Sequence, residues 1–276
     1  MAAGIDGGNI VGFFQDSTLN IRHGFLFDGS SYTTLNGPGT NPQTAAFGID
    51  GTNFVGTIDD GQERHGFFFD GSTYTLLDPP GSVATDARGI DGNTIVGFYQ
   101  DPTFNPDRRR GFLFDGTTYT TLDVPGAIET FILGIEGGSV VGTYTDTSAF
   151  RHGFVYDGST FTTVDVAGSL STFVRGIEGS NLVGEFQDSS GVRHGFLFDG
   201  STFTTLDPPG AIESAALGID GGMIVGRFDD ASGRHGYLFD AQTVVPEPST
   251  LTLLGIGAVS LFGYRWRRKR KTELAA

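Results

Sequence analysis

The sequence predicts an all-β repeat protein, a six-bladed β-propeller with four short antiparallel strands per repeat, followed by a C-terminal hydrophobic helix. The first observation is repetition. The segment GIEGSNLVGEFQDSSGVRHGFLFDGSTFTTLDPPGA, which starts at Gly176, has close copies starting at Gly4, Gly48, Gly89, Gly134 and Gly218, at spacings of 44, 41, 45, 42 and 42 residues. A fixed period of this size marks an array of supersecondary units that bury their apolar faces against one another. The second is that each copy holds four β-compatible stretches and no room for a helix. The third is that both faces of those stretches carry apolar groups, which fits sheets sandwiched between neighbours better than a half-solvated meander. A stacked β-solenoid or an open array is the alternative.

Within each copy the elements follow in order. A short strand ends in Gly-Ile and is closed by Asp-Gly or Glu-Gly; a second is centred on Val-Gly. The third is Arg-His-Gly-Phe-Leu-Phe, and an Asp-Gly such as Asp199-Gly200 leads into the fourth, Thr-Phe-Thr-Thr-Leu-Asp, through a hairpin that needs positive φ. Pro-Pro-Gly, as at Pro208, Pro209 and Gly210, ends the unit, because proline cannot donate to a ladder. Parity along the third strand puts His194, Phe196 and Phe198 on one face and Gly195 and Leu197 on the other. With 25 Phe and 44 Gly, the chain has the material for a core and for many turns.

Charge divides the chain. Arg265 to Lys271 hold six of the 17 basic residues, and with Glu273 the tail carries +5 (six minus one); the remainder, with 11 basic and 31 acidic residues, carries −20. A domain this acidic repels phosphate backbones, so nucleic-acid binding is not expected. Cysteine is absent, which excludes a disulfide framework, a thiolate zinc site and a cysteine nucleophile.

Units such as GIDGGMIVGRFDDASGRHGYLFD resemble the bacterial extracellular HAF repeat over residues 4 to about 240, with His-Gly-Phe in place of His-Ala-Phe and Phe or Tyr in place of Trp. That resemblance implies an extracellular β domain and no particular reaction.

The C-terminus is organised as a 243–250 linker, an apolar run at 251–264 and a basic tail at 265–276. Val245, Pro246, Glu247 and Pro248 precede Leu251 to Tyr264, which run directly into Arg265, Arg267, Arg268, Lys269, Arg270 and Lys271. Fourteen mostly apolar residues are short for a permanent span of about 20 but suit a sorting helix, and the basic cluster would hold its end in the cytoplasm. This order strongly resembles the PEP-CTERM sorting signal. The resemblance implies Pro246, Glu247 and Pro248 as the recognition motif, an exosortase-type membrane protease as partner, transient anchoring in the inner membrane, and export to the cell surface in exopolysaccharide-making bacteria. The alternative is an ordinary C-terminal anchor. The chain begins MAAGIDGG, already inside a repeat, so Met1 reads as an artificial, misassigned or truncated start and six repeats as a lower bound.

The candidates for chemistry are few. All five histidines, His23, His65, His152, His194 and His235, occupy one repeat position, with Arg110 there in the third copy. Recurrence in every unit fits packing or hydrogen bonding within each blade, with the preceding Arg paired to a nearby turn Asp; a ring binding an anion or metal is the sharper alternative. Asp59-Asp60 and Asp229-Asp230 look like residues that open loops, and Asp followed by Gly already has a turn-forming explanation without calcium. No Gly-x-Ser-x-Gly elbow, no Gly-rich phosphate loop and no His-Glu-x-x-His is present. Catalytic, cofactor and metal residues are therefore not expected. The insertion DPTFNPDRRRG groups Arg108, Arg109 and Arg110 as a candidate contact for an acidic polysaccharide. The function expected is a non-enzymatic surface or matrix protein that binds or scaffolds. The alternative is a lectin or carbohydrate-active enzyme on a propeller face.

Overall fold

The computed structural model describes residues 1–16, 21–39, 42–104 and 108–241. Every regular element among them is a strand or a turn, apart from a single 3-10 position at Ala241. Each repeat forms one antiparallel sheet whose strands follow chain order from the axis outwards. In blade 5 these are Ser171–Glu178, Asn181–Gln187, Arg193–Phe198 and Phe203–Leu206. The inner strands of the other blades are Ala2–Asp6, Gln43–Asp50, Ala84–Asp91, Glu129–Glu136 and Glu213–Asp220. Blade 6 continues with Met223–Asp230 and Gly233–Asp240, and the described residues end at Ala241, before the place of a fourth strand. Gly-Ile therefore lies near the end of the inner strand, and each blade starts some five residues earlier, directly after the Pro-Gly loop.

The blades pack face to face. Val11 and Leu35 with Leu26 of blade 1 meet Phe54, Ile58 and Phe67 of blade 2, and the same positions repeat between blades 2 and 3, 3 and 4, and 4 and 5. The ring of the third-strand Phe is completely buried at Phe67, Phe112, Phe154 and Phe196. Space for it comes from the Val-Gly glycine on the neighbouring strand: a Cβ at Gly56 would lie 2.7 Å from a ring carbon of Phe67. The expected sandwich of two apolar faces is thus the core.

The six repeats close on themselves, which separates the propeller from the solenoid and the open array. The Gly-Ile glycines form a ring around the axis, each against the next blade's backbone. A Cβ on Gly48 would stand 2.8 Å from the carbonyl oxygen of Arg88, and one on Gly218 of blade 6 would stand 3.2 Å from that of Ala3 in blade 1. At five of the six junctions the acidic residue after Gly-Ile ties the ring together by accepting a backbone hydrogen bond from the next blade's turn. Gly51 N donates to Asp6 at 2.6 Å, Gly92 N to Asp50 at 2.6 Å, and Gly7 N to Asp220 at 2.9 Å, the last joining blade 6 to blade 1. At the same end of the sheet, the Asp199 carboxylate accepts from the amides of Ser201 and Thr202, and Gly200 has φ +91°, as the hairpin requires.

Candidate functional site

The Gly-Ile glycine also creates a β-bulge in every inner strand. Pairing skips one residue between Ala2 and Gly4, Ala46 and Gly48, Ala87 and Gly89, Ile132 and Gly134, Val174 and Gly176, and Ala216 and Gly218. The skipped residues are Ala3, Phe47, Arg88, Leu133, Arg175 and Leu217. A bulge re-aims the side chain it carries, and these six line the axial cavity of about 130 Å³ together with the Gly-Ile pairs.

These bulged positions differ from copy to copy, whereas the neighbouring Gly-Ile does not. Two further variable positions are cross-strand partners beside them: Thr57 opposite Ala45, Phe98 opposite Asp86, Thr143 opposite Phe131, Glu185 opposite Phe173 and Arg227 opposite Ala215. These variable positions of the inner and second strands thus converge on the axial end of the propeller.

Around this variable centre stands the arginine that precedes each His. It lies on the strand face opposite His and Phe, and in blades 2, 3 and 4 it reaches towards the next blade's inner strand. Arg64 is 3.6 Å from Asp86, Arg109 donates to Glu129 at 3.4 Å, and Arg151 lies over the rings of Phe131 and Phe173. Arg88 donates to Asp86 at 2.8 Å and stacks 3.9 Å above the Phe47 ring, and its Nε is buried without a partner. Burial pushes the Arg88 guanidinium below its ordinary range, and Asp86 only partly offsets this. On the other side of the axis Glu185, fully buried, is surrounded by Arg175, Arg193 and Arg227. Burial pushes the Glu185 carboxyl up, but the three arginines outweigh it and hold the group below the usual carboxylate range. Seven of the 11 arginines in residues 1–241 thus gather here, in a domain whose overall charge is strongly negative.

The histidines stand elsewhere. His65, His152 and His194 each share a hydrogen bond of 2.7, 2.7 and 2.8 Å between Nδ1 and the Asp that ends the fourth strand, at Asp78, Asp165 and Asp207. Nε2 of His194 also faces Asp188, the residue that shapes the second loop by accepting from Ser190 and Val192. Burial lowers His152 and His194, but their aspartates win and both end above the ordinary imidazole value. Hydrogen bonds to Ser190 and Val192, with His194 adding a smaller part, pull Asp188 down to about 2. The expected pairing of the preceding arginine holds in blade 6, where Arg234 donates to Asp229; in blades 2, 4 and 5 the aspartates take the histidines instead, and the preceding arginines take the axial face. Asp60 and Asp230 close their own loops through the amides of Glu63 and Ser232. Among the described residues no cluster of three or more metal-ligating side chains occurs.

Arg108, Arg109 and Arg110 alternate along the strand Arg108–Phe114, and all three border one small pocket with Phe104, Asp123 and Glu129. Arg110 replaces the blade 3 His and donates to Asp123 at 2.8 Å and Asp101 at 3.3 Å. Arg108 lies over Phe104, and only Arg109 faces the axial site. Variation between copies at the bulged residue of the inner strand is the sequence signal for this site.

Solved structures with the same architecture place the chain among six-bladed β-propellers. The fungal Aleuria aurantia lectin, described with a six-bladed β-propeller fold and a fucose recognition mode, matches over 86% of this chain and 89% of its own at 15% identity, TM-score 0.55. The SapL1 lectin, solved with α-methyl fucoside, matches over 87% and 92% at 13% identity, TM-score 0.57. The propeller of the Trilobed protease from Pyrococcus furiosus, which has an open velcro topology, matches over 87% and 78% at 12% identity, TM-score 0.56. A search of curated protein sequences found no match.

Residues 244–270 match the PEP-CTERM protein-sorting motif. This motif marks an exported protein that is anchored in a membrane for sorting. Pro246, Glu247, Pro248, the apolar helix expected at 251–264 and the basic cluster from Arg265 to Lys271 lie outside the described residues. No helix among the described residues is long and apolar enough to cross a membrane.

Proposed function

We propose that this protein is a non-enzymatic component of the cell surface or extracellular matrix whose axial propeller face binds a ligand, and that an exosortase-type protease processes its tail at Pro246, Glu247 and Pro248. The observation that carries this reading is the convergence of the variable positions. A face built for the fold alone repeats, as the Phe core and the His–Asp pairs do. A face that contacts an asymmetric ligand needs different groups from different blades, and the axial end supplies them on rigid inner strands, whereas the loops between the second and third strands vary farther from the axis. Association with exopolysaccharide belongs to the same proposal, and the fucose-recognising propeller lectins, similar in fold, make a saccharide the first ligand class to test.

Hydrolysis is the second reading, and the electrostatics of the face weigh against it. A glycosidase needs one carboxyl held protonated near neutral pH beside one that is ionised. At the axial end the carboxyls of Asp86, Glu129 and Asp229 each face arginine, and Glu185, surrounded by three, is held ionised. A glycan array with the full chain, run beside a glycoside hydrolase screen, tests both. Retention of glycans without turnover is the expected result; turnover of any retained glycan would replace this reading with an enzymatic one.

A further inference from the structure

Between blades 2, 3 and 4 the axial face holds a cavity of about 300 Å³, at the small end of the range for small-molecule sites. Its polar lining is dominated by Arg64, Arg88, Arg109 and Arg151, and its apolar wall is Phe98 packed edge-to-face on Phe131 at 5.1 Å. Among the described residues only Asp86, shared between Arg64 and Arg88, and Glu129, against Arg109, answer those four cations. Among the described residues no carboxylate pairs with Arg151, whose guanidinium rests on aromatic rings alone. The buried, unpartnered Nε of Arg88 stands beside the same cavity.

An excess of guanidinium in a half-enclosed site costs free energy through mutual repulsion and desolvation. In a domain with an overwhelming surplus of acid this concentration has no use in solubility. The geometry points to this cavity as a subsite for an acidic sugar residue, its carboxylate held by Arg151 and Arg109 and its ring lying against Phe131 and Phe98. The planar guanidinium fork matches a carboxylate in two parallel hydrogen bonds, and an aromatic wall gives the apolar face of a pyranose a surface to cover. The inference rests on the axial face being a binding surface and names its ligand class.

Isothermal titration of the full chain with oligogalacturonate, with neutral oligogalactose of matching length and with inorganic sulfate provides the test. Oligogalacturonate binding is expected, weakened by added salt, with oligogalactose and sulfate at least about tenfold weaker. Arg151→Gln and Arg109→Gln should each reduce that affinity about tenfold or more, since each removes a charge-assisted hydrogen bond. Arg108→Gln, outside the cavity, should leave it unchanged. Thermal melts of the variants accompany the titrations, so that a folding defect is not mistaken for lost contact. Equal affinity for the neutral sugar, or an Arg151→Gln protein that is stable and binds as before, would overturn the acidic subsite while leaving the axial face as a binding surface. Sulfate binding as tightly as oligogalacturonate would reduce it to a simple anion site and overturn it as well. Loss on Arg108→Gln alone would move the contact to the loop and overturn it too.

Discussion

Phe67 in blade 2 and Phe25 in blade 1 occupy the same repeat position, yet Phe67 is completely buried and Phe25 only half buried. Phe67 is covered by the preceding blade's Val11 and Leu35, with Leu26 beside them. Phe25 faces blade 6, where Val225, Tyr237 and Leu238 border an open apolar groove of about 680 Å³ along with Phe14, Phe27 and Tyr32. Tyr32 and Leu238 are 73% and 54% exposed there. The inner parts of the two interfaces are nevertheless alike, with the glycine contact at the axis and the carboxylate-to-amide bond below it. Closure of the ring is thus carried by the inner strands, and the outer strands add the packing that distinguishes the five internal interfaces from the seam.

The largest contrast should come from the aromatic core. Phe67→Ala, Phe112→Ala, Phe154→Ala and Phe196→Ala should each cost about 3–5 kcal/mol through lost transfer energy and a residual cavity. Phe25→Ala should cost clearly less, because its ring already borders open space. Chemical denaturation of the five variants measures this, and equal losses at all five would mean that the seam is as tightly closed as the rest.

A smaller contrast is expected at the axial glycines. Gly134→Ala would put a Cβ 2.8 Å from the carbonyl oxygen of Arg175, a backbone atom that cannot step aside, whereas Gly218→Ala at the seam meets its nearest atom at 3.2 Å. Overpacking of this kind costs about 1–3 kcal/mol, so Gly134→Ala should melt lower than Gly218→Ala. Reversal of that order would show that the seam is the more rigid junction.

Next in size is the carboxylate bond that crosses the seam. Asp220→Ala removes the acceptor for Gly7 N, and hydrogen exchange should then accelerate in the inner strand Ala2–Asp6 more than Asp50→Ala accelerates it in Ala84–Asp91. In the second case blade packing on both sides holds the strand, so equal acceleration would assign closure to the bond alone.

The smallest effect is pH dependence, carried by the histidines of blades 4 and 5. The raised values of His152 and His194 mean that their contribution to stability is fully present below the unfolded imidazole pKa of about 6.5 and is lost as pH rises through the folded value. The depressed Asp188 works in the opposite direction: its contribution is present above the unfolded carboxylate value and is lost as pH falls towards about 2. Melting temperature should therefore decline modestly from pH 6 to pH 8, and a His152→Gln/His194→Gln protein should show a flatter profile. An unchanged slope would mean that these histidines are not charged in the fold.

Much of this was legible in the chain. Spacing located all six blades, and parity along Arg-His-Gly-Phe-Leu-Phe placed His194 with Phe196 and both faces against neighbours. Two features were not. A β-bulge shifts side-chain parity by one residue, but the inner strands are buried on consecutive positions and show no alternation to shift, so the projection of Phe47, Arg88 and Arg175 into the axis had no sign beyond their variation between copies. The seam was hidden for the opposite reason: Phe25 sits in a sequence context nearly identical to that of Phe67, and its exposure depends on what blade 6 offers two hundred residues away. Local sequence reports the interior of a repeat array well and its closure poorly.

The most direct test of the axial face uses residues that the repeats themselves supply. Leu133 and Leu217 already occupy in blades 4 and 6 the bulge that Arg88 and Arg175 occupy in blades 3 and 5, so Arg88→Leu/Arg175→Leu places at each bulge a side chain the fold accepts there. This protein should melt lower, because buried Glu185 loses Arg175 and keeps only Arg193 and Arg227, yet still unfold cooperatively, and on a glycan array it should lose the glycans that the unaltered chain retains. Unchanged retention by the folded double variant would show that the ligand-binding face lies elsewhere on the propeller.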